Sequence, residues 1–232
     1  MATVAERLAA IRSEIEAAER ARGDGPSVRL LAVSKRQPTH AIQDAIGAGQ
    51  LDFGENYAQE LREKRDALAS SGARWHFIGA LQSNKVRHVL GSTLIHTIDR
   101  PSVLTALDAR AQRDGIDAAV LVQVNVAAET GKAGVQVADL AALLDRFADL
   151  ARVRCRGLMT IPPAGPPEAT RPHFAALRRL AEQHSRTARP GVTMDELSMG
   201  MSGDYRVAIQ EGATIVRVGT AIFGARPPVR TG

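Results

Sequence analysis

The sequence predicts a single α/β domain built as a closed (β/α)8 TIM barrel. Three observations predict this fold: about eight short apolar runs occur along the chain, each is followed by a helical pattern, and the chain has 232 residues. Strands that alternate with helices pair in parallel through crossover helices. Eight such units in roughly 200–250 residues match a closed barrel better than an open doubly wound sheet.

The first element is an extra N-terminal helix, which precedes the barrel units. Its apolar stripe, at helical spacing, is expected to end at residues 23–26, and it consists of Leu8, Ile11, Ile15 and Ala18. The strands are predicted from apolar runs bounded by turn residues, over residues 28–34, 51–55, 75–79, 94–99, 118–126, 153–159, 196–199 and 214–218. The first of the helices that follow these strands is predicted over about residues 38–48. The helices after the next four strands are predicted to end at about residues 68, 89, 113 and 150. Two more are predicted near residues 173–184 and 205–210, followed by a closing segment at 221–225.

The domain organisation and the excluded classes follow from composition. The Pro-rich stretch 162–167 is short and lies between a strand and its helix, so residues 1–232 are expected to form one domain. The net charge is +5, but arginines are scattered and only 3% of residues are aromatic, which argues against nucleic-acid binding.

A charged N-terminus without a signal peptide and the lack of a long apolar stretch predict a cytoplasmic protein with no membrane partner. The single cysteine, Cys155, excludes an internal disulfide, and no metal site is expected.

Lys35 directly follows the first predicted strand, at the barrel face where active sites of this fold lie. A lysine in a partly apolar mouth has its charged form disfavoured, which makes its amine available to condense with an aldehyde. The alternative interpretation is a solvated loop lysine.

Two segments after the last strands resemble an anion-binding cradle. Residues 197–204 supply Ser198, Ser202 and Gly203, and the segment after the eighth strand supplies Gly219 and Thr220. Backbone N–H groups beside glycines and at helix starts bind phosphate, and loops after strands seven and eight form the recurrent phosphate site of this fold. Each segment alone is also consistent with a turn and helix cap. Together with Lys35 they favour a phosphorylated aldehyde as the ligand.

Several blocks resemble the pyridoxal phosphate homeostasis protein family, over residues from about 28 to 226. They are Val33-Ser34-Lys35 with Pro38, Phe53-Gly54-Glu55-Asn56-Tyr57 with Gln59-Glu60, Trp75-His76-Phe77-Ile78-Gly79 with Leu81-Gln82 and Asn84-Lys85, Gly157-Leu158-Met159, and the segments 197–204 and 216–224. One departure is visible after the Val-Asn-Val block, where family members often carry small hydroxyl or glycine residues and this chain has Ala127 and Ala128.

The resemblance implies a fold type III barrel, like the N-terminal domain of alanine racemase, with pyridoxal 5′-phosphate bound to Lys35 as an internal aldimine. It implies that Asn56 lines the cofactor pocket. Arg217 would face the cofactor, at either its pyridine nitrogen or its phosphate. The residues that would hold the phosphate are Ser198, Ser202, Gly219 and Thr220.

The function that the resemblance implies is intracellular cofactor homeostasis without catalytic turnover, by buffering pyridoxal phosphate or delivering it to dependent apoenzymes. The alternative is an amino-acid racemase-like enzyme, which needs a second acid/base; the tyrosines, Tyr57 and Tyr205, both fall at predicted helix starts. A third class, a Schiff-base enzyme of the aldolase type, is disfavoured because its lysine belongs on a later strand. A monomer is expected, because the chain lacks the domain through which racemases pair.

Other polar residues keep two interpretations each. His76, between two aromatic residues, is either a general base or a packed, hydrogen-bonded core residue. Glu55 and Glu60 are either paired carboxylates or acidic residues at a helix start. Cys155 is expected to be a buried, unreactive thiol.

Overall fold

The computed structural model describes residues 2–224, and its strands all pair in parallel. The strands are β1 (Arg29–Val33), β2 (Asp52–Glu55), β3 (Arg74–Phe77), β4 (Leu94–Ile98), β5 (Ala118–Asn125), β6 (Val135–Gln136), β7 (Val153–Met159), β8 (Val192–Met201) and β9 (Ile215–Val218). The α-helices are α1 (Val4–Arg22), α2 (Thr39–Gly47), α3 (Ala58–Ala67), α4 (Val86–Val89), α5 (Pro101–Asp114), α6 (Leu140–Asp145), α7 (Pro167–Ser185), α8 (Tyr205–Gln210) and α9 (Thr220–Phe223).

Eight of these strands close into a ring, which confirms the predicted barrel. The order around the ring is β1, β2, β3, β4, β5, β7, β8 and β9, and β9 returns to β1 through four registered pairs. The two-residue β6 pairs only with the end of β5 and lies outside the ring. It was not predicted, because a two-residue strand leaves no alternation to detect.

The core has two parts because side chains alternate across each strand. The larger part lies between the barrel and its helices. The smaller part lies inside the barrel, where Leu31, Leu94, Leu121, Met159 and Ile215 pack together. On three of these strands a polar side chain follows two residues further along and faces the same space: His96 on β4, Gln123 on β5 and Arg217 on β9.

Helix α1 packs against α2, α8 and α9 on the outside of the barrel. Its stripe is buried as predicted, and the helix ends at Gly23, in the predicted segment. A capping box between Thr3 and Glu6 starts it, because each side chain accepts a hydrogen bond from the other residue's backbone N–H.

Two predicted helices are shorter or broken in the structure. The helix after β3 is a 3-10 turn over Ser83–Lys85 followed by the single turn α4. The long helix predicted after β5 is interrupted, because Gly131 and Gly134 have positive φ angles and the chain forms β6 before α6. Helix α7, in contrast, begins at Pro167 rather than near 173, with proline in its first turn.

The remaining boundaries differ less. Strand β8 begins at Val192 rather than 196, and the closing segment forms α9 over Thr220–Phe223. Ala225 and Arg226 lie outside the described residues. Cys155 is buried as predicted, and burial raises the pKa of its thiol to about 12. No helix within residues 2–224 combines the length and apolar character needed to cross a bilayer.

Candidate functional site

A cavity of about 290 Å³ opens at the carboxyl ends of the barrel strands. This volume is near the lower end of the range for small-molecule sites, roughly 300–1,000 Å³. Residues at or after the ends of β1, β2, β3, β7, β8 and β9 contribute to its wall. They are Val33, Lys35, Asn56, Ile78, Ile161, Met201, Ser202, Gly203, Arg217, Gly219 and Thr220.

The cavity brings together six of the seven residues that the sequence singled out, all except Ser198. Ser198 is fully buried on β8, and its hydroxyl is 2.7 Å from Arg217 Nη1 and 2.8 Å from His96 Nδ1. A direct contact between this hydroxyl and a ligand phosphate therefore does not fit the geometry. Its place is beneath the guanidinium of Arg217.

The residues on both sides of Lys35 are fixed by hydrogen bonds. Before it, the hydroxyl of Ser34 donates to Glu55 Oε1 at 2.7 Å. After it, Arg36 adopts a left-handed φ of 58°, and its N–H donates to Glu60 at 2.6 Å. A non-glycine residue in this region costs about 1 kcal/mol, which these bonds offset. The turn thus holds Lys35 at the cavity wall.

A second lysine, Lys64, connects these two anchors. Its ammonium nitrogen lies 2.7 Å from Glu55 Oε1, 2.6 Å from Glu60 Oε1 and 2.6 Å from the carbonyl oxygen of Ser34. Glu55 and Glu60 therefore lie close together with Lys64 as their shared partner, as the paired-carboxylate interpretation expects, and Glu60 also lies in the first turn of α3, as the alternative expects. Burial raises the pKa of Glu55 to about 7, although Lys64 and Ser34 act in the opposite direction.

The opposite wall is a short loop held by Asp204. The carboxylate of Asp204 accepts a hydrogen bond from the backbone N–H of Met201 at 2.6 Å, which closes the turn that carries Ser202 and Gly203. The Ser202 hydroxyl accepts from the N–H of Gly219 at 3.4 Å, so the loops after β8 and β9 meet. A Cβ at Gly219 would lie 3.2 Å from Val33, a contact tight enough that Val33 would have to shift slightly.

Asn56 reaches the cavity because Gly79 allows a close backbone approach. A Cβ at Gly79 would overlap the carbonyl group of Asn56. The hydroxyl of Thr97 donates to the carbonyl of Gly79 at 2.6 Å and fixes it from the other side. Glycine is thus required at this position to keep the ends of β2 and β3 together.

Arg217 is the buried charge of the site. Its Nη1 donates to Ser198, and its Nη2 donates to the carbonyl oxygen of Thr160 at 2.9 Å. Burial lowers the pKa of Arg217 to about 10, and the charge of Asp204 opposes this shift. The guanidinium therefore stays protonated at neutral pH.

His76 is a packed, hydrogen-bonded core residue, one of its two predicted interpretations. It is fully buried, 3.1 Å from His96 and 3.1 Å from Asp52. Asp52 and His96 were not singled out in the sequence, and neither was Lys64. Only Lys64 carried a local signal, its i,i+4 spacing from Glu60.

Comparisons with known proteins identify the family of this barrel. The family model for the alanine racemase N-terminal domain matches residues 7–227. The pyridoxal phosphate homeostasis protein of Aquifex aeolicus (strain VF5) is 42% identical over 224 residues, which cover 95% of this chain and 97% of that protein. Its namesake in Escherichia coli (strain K12) is 44% identical over 231 residues, with 97% and 98% covered. The chain belongs to the pyridoxal phosphate homeostasis protein family.

Solved structures agree with this assignment. PipY of Synechococcus elongatus PCC7942, solved with pyridoxal phosphate bound, is 40% identical to this chain and superposes with a TM-score of 0.84, covering 96% of this chain and all of PipY. Alanine racemase from Corynebacterium glutamicum has a TM-score of 0.63 at 18% identity, covering 97% of this chain and 63% of the racemase. That second likeness concerns the fold alone.

The raised pKa of Glu55 predicts a pH-dependent stability. The folded protein binds the Glu55 proton more tightly than the unfolded chain does, so this contribution to the free energy of unfolding is complete below about pH 4.5 and is lost as pH rises to about 7. In the wild-type protein the free energy of unfolding should therefore fall by about 2 kcal/mol between pH 5 and pH 7. In Glu55→Gln we expect this fall to be absent. Urea unfolding at pH 5, 6 and 7 measures it.

The control variant for this experiment is Glu16→Gln, because the Glu16 side chain is 65% exposed. It should retain the wild-type change of stability with pH. If Glu55→Gln also retains the full wild-type change, the pKa of Glu55 is not raised in the folded protein.

Proposed function

We propose that this protein binds pyridoxal 5′-phosphate in the cavity through a Schiff base to Lys35, and that it buffers or delivers the cofactor without catalytic turnover. The observation that carries the proposal is the layout of the cavity: a lysine on the β1 side faces a loop wall rich in hydroxyls and glycines after β8 and β9. A phosphorylated aldehyde has a carbonyl group that can react with the lysine and a phosphate group that can bind to the loop wall. PipY, whose structure holds pyridoxal phosphate, supports the same ligand.

The other three lysines are less suited to this bond. Lys64 is buried among three oxygens, and Lys132 pairs with Glu129 at 2.7 Å. Lys85 lines a separate cavity of about 220 Å³, which meets the first cavity at Asn56. Lys35 lines the cavity of the phosphate-binding loops, so its amine is the one we expect to attack the aldehyde carbon, forming a C=N bond with release of water.

The phosphate fits the opposite wall. Ser202 and Thr220, which carry hydroxyl groups, are exposed residues that line the cavity. Gly203 and Gly219 line it as well and allow a phosphate to approach the backbone closely. When bound, the cofactor supplies an electrophilic aldehyde and an electron-withdrawing ring. The protonated Arg217 supplies a positive charge to either the ring nitrogen or the phosphate.

Neither tyrosine supports the racemase alternative. The Tyr205 hydroxyl donates to Glu14 on α1, away from the lysine side, and burial raises its pKa to about 12. The ring of Tyr57 is covered by the guanidinium of Arg36, and Tyr57 lines the cavity that Lys85 also lines. Neither one lines the cavity of Lys35. A cytoplasmic location, a monomeric state and transfer to dependent apoenzymes remain part of the proposal.

The variant Lys35→Ala should lose the visible absorbance band that pyridoxal phosphate forms with the protein and the adduct fixed by borohydride. The fold should remain, because Lys35 lies at the barrel rim. The matched control is Lys85→Ala, which should keep both signals. Absorbance spectra and peptide mapping of the reduced protein measure the outcome, and a full band in Lys35→Ala would place the Schiff base on another lysine.

A racemisation assay on the same wild-type sample tests the absence of turnover. The expected result is a Lys35 adduct with no racemisation of any amino acid tested. Measurable turnover would support the racemase alternative instead. A wild-type protein without a visible band would contradict the proposed ligand.

The phosphate assignment predicts a difference between two ligands. In Ser202→Ala, which removes a hydroxyl, and in Gly219→Val, which blocks the close approach of the phosphate to the backbone, the dissociation constant of pyridoxal phosphate should rise about tenfold or more. The constant for pyridoxal, which lacks the phosphate, should change much less. Equilibrium titration with both ligands measures this, and an equal loss for both would move the phosphate elsewhere.

A further inference from the structure

A continuous line of hydrogen bonds crosses the barrel interior from Arg217 to Asp52. Arg217 Nη1 is 2.7 Å from Ser198 Oγ, Ser198 Oγ is 2.8 Å from His96 Nδ1, and His96 Nε2 is 3.1 Å from His76 Nδ1. His76 Nε2 is 3.1 Å from Asp52 Oδ1. We refer to Ser198, His96, His76 and Asp52 as the polar relay.

The relay joins the two ends of the barrel. Arg217 lines the cavity at the carboxyl ends of the strands. Asp52 is the first residue of β2, and together with Arg74 it lines a different cavity, of about 320 Å³, beside α1. Between these ends, Ser198, His96 and His76 are fully buried. Polar groups at such depth are costly unless every one is hydrogen-bonded, so the relay needs all its members.

The two ends fix the direction of every hydrogen bond between them. A guanidinium only donates, so Ser198 accepts from Arg217 and has its own proton left to give to His96 Nδ1. His96 then carries its proton on Nε2 and donates to His76 Nδ1. His76 in turn carries its proton on Nε2 and donates to Asp52. Both imidazoles are therefore neutral, in the same tautomer.

The surrounding charges agree with this arrangement. Arg74 donates to Asp52 through Nε at 2.8 Å and through Nη2 at 2.5 Å. Burial raises the pKa of Asp52, but the bonds from Arg74 and His76 outweigh it and keep the carboxylate ionised. Burial also lowers the pKa of both histidines, and Arg29 adds to this effect in each case. These are the charged groups that face the relay from β1, β2, β3 and β9.

We propose that Ser198, His96 and His76 are positioning residues, which hold the Arg217 guanidinium at the cofactor cavity and are themselves oriented by Asp52 and Arg74. The role toward the cofactor rests on the proposed function, whereas the relay itself belongs to the folded protein. Because two N–H groups of Arg217 are engaged by Ser198 and Thr160, the guanidinium has one fixed orientation, and its remaining donors are available to the ligand.

The first test uses the unmodified protein without cofactor. Nitrogen-15 NMR of histidine rings distinguishes a protonated ring nitrogen from an unprotonated one. At pH 7, His76 and His96 should both be neutral with the proton on Nε2. A charged ring, or a proton on Nδ1 of either residue, would overturn the relay whatever the protein binds.

The second test compares two serine variants. Ser198→Ala removes the hydroxyl between Arg217 and His96, whereas Ser92→Ala removes a buried hydroxyl that donates only to the carbonyl of Val89 at 2.6 Å. In Ser198→Ala the dissociation constant of pyridoxal phosphate should rise about tenfold and the visible spectrum of the bound cofactor should change. Ser198→Thr should restore most of both, and Ser92→Ala should leave both unchanged.

The outcomes separate this inference from the proposed function. Wild-type affinity and spectrum in Ser198→Ala would overturn the positioning role. So would equal effects of Ser198→Ala and Ser92→Ala, because a general loss of stability would then explain both. A wild-type protein that gives no visible band with pyridoxal phosphate contradicts the proposed function, while the NMR result still decides whether the relay exists.

Discussion

The buried guanidinium of Arg217 is the constraint on which much of the barrel interior depends. An unpaired charge inside a protein is strongly unfavourable, so its carrier needs hydrogen-bond acceptors on the buried side. The carbonyl of Thr160 and the hydroxyl of Ser198 serve as these acceptors. Because Ser198 accepts a hydrogen bond from Arg217, its own proton needs an acceptor, which is His96. His96 in turn donates to His76, and His76 donates to the carboxylate of Asp52, which only accepts.

The lysine side of the cavity is built on a different principle. There the residues that flank the lysine are fixed: Ser34 and Arg36 are each held by a glutamate, and Lys64 joins the two glutamates. Three charged groups in a small buried volume include two acids for one base, and the more deeply buried acid, Glu55, has its pKa raised. The cavity therefore lies between a wall of ion pairs that orients Lys35 and a relay that orients Arg217.

Most of the fold could be predicted from the sequence because buried parallel strands form apolar runs with clear limits. The breaks in the helices after β3 and β5 were missed, since single turns and a two-residue strand are too short to give a periodic signal. Lys35, Ser202 and Gly219 were found because they follow strand ends, where the chain order itself places them at one face of the barrel.

The relay could not be predicted in the same way. Asp52, His76 and His96 belong to three different strands, and only the shear of the closed barrel brings their rings and carboxylate into line. Ser198 shows the limit most clearly. Its position before a glycine-rich turn is typical of a residue that binds phosphate. The alternation of side chains along β8 instead directs it into the barrel, where its hydroxyl accepts a hydrogen bond from Arg217.

The geometry of Ser198 also bears on the choice between the proposed carrier and a racemase on the same fold. A racemase needs a second acid/base beside the ligand, and a hydroxyl at the end of a relay that leads to two imidazoles could move a proton there. In this protein the direction of the relay runs away from the cavity, since Arg217 can only donate into it and Asp52 is held ionised by Arg74. Such a relay holds a fixed positive charge at the cavity and passes no proton toward it, which is consistent with the proposed binding without turnover.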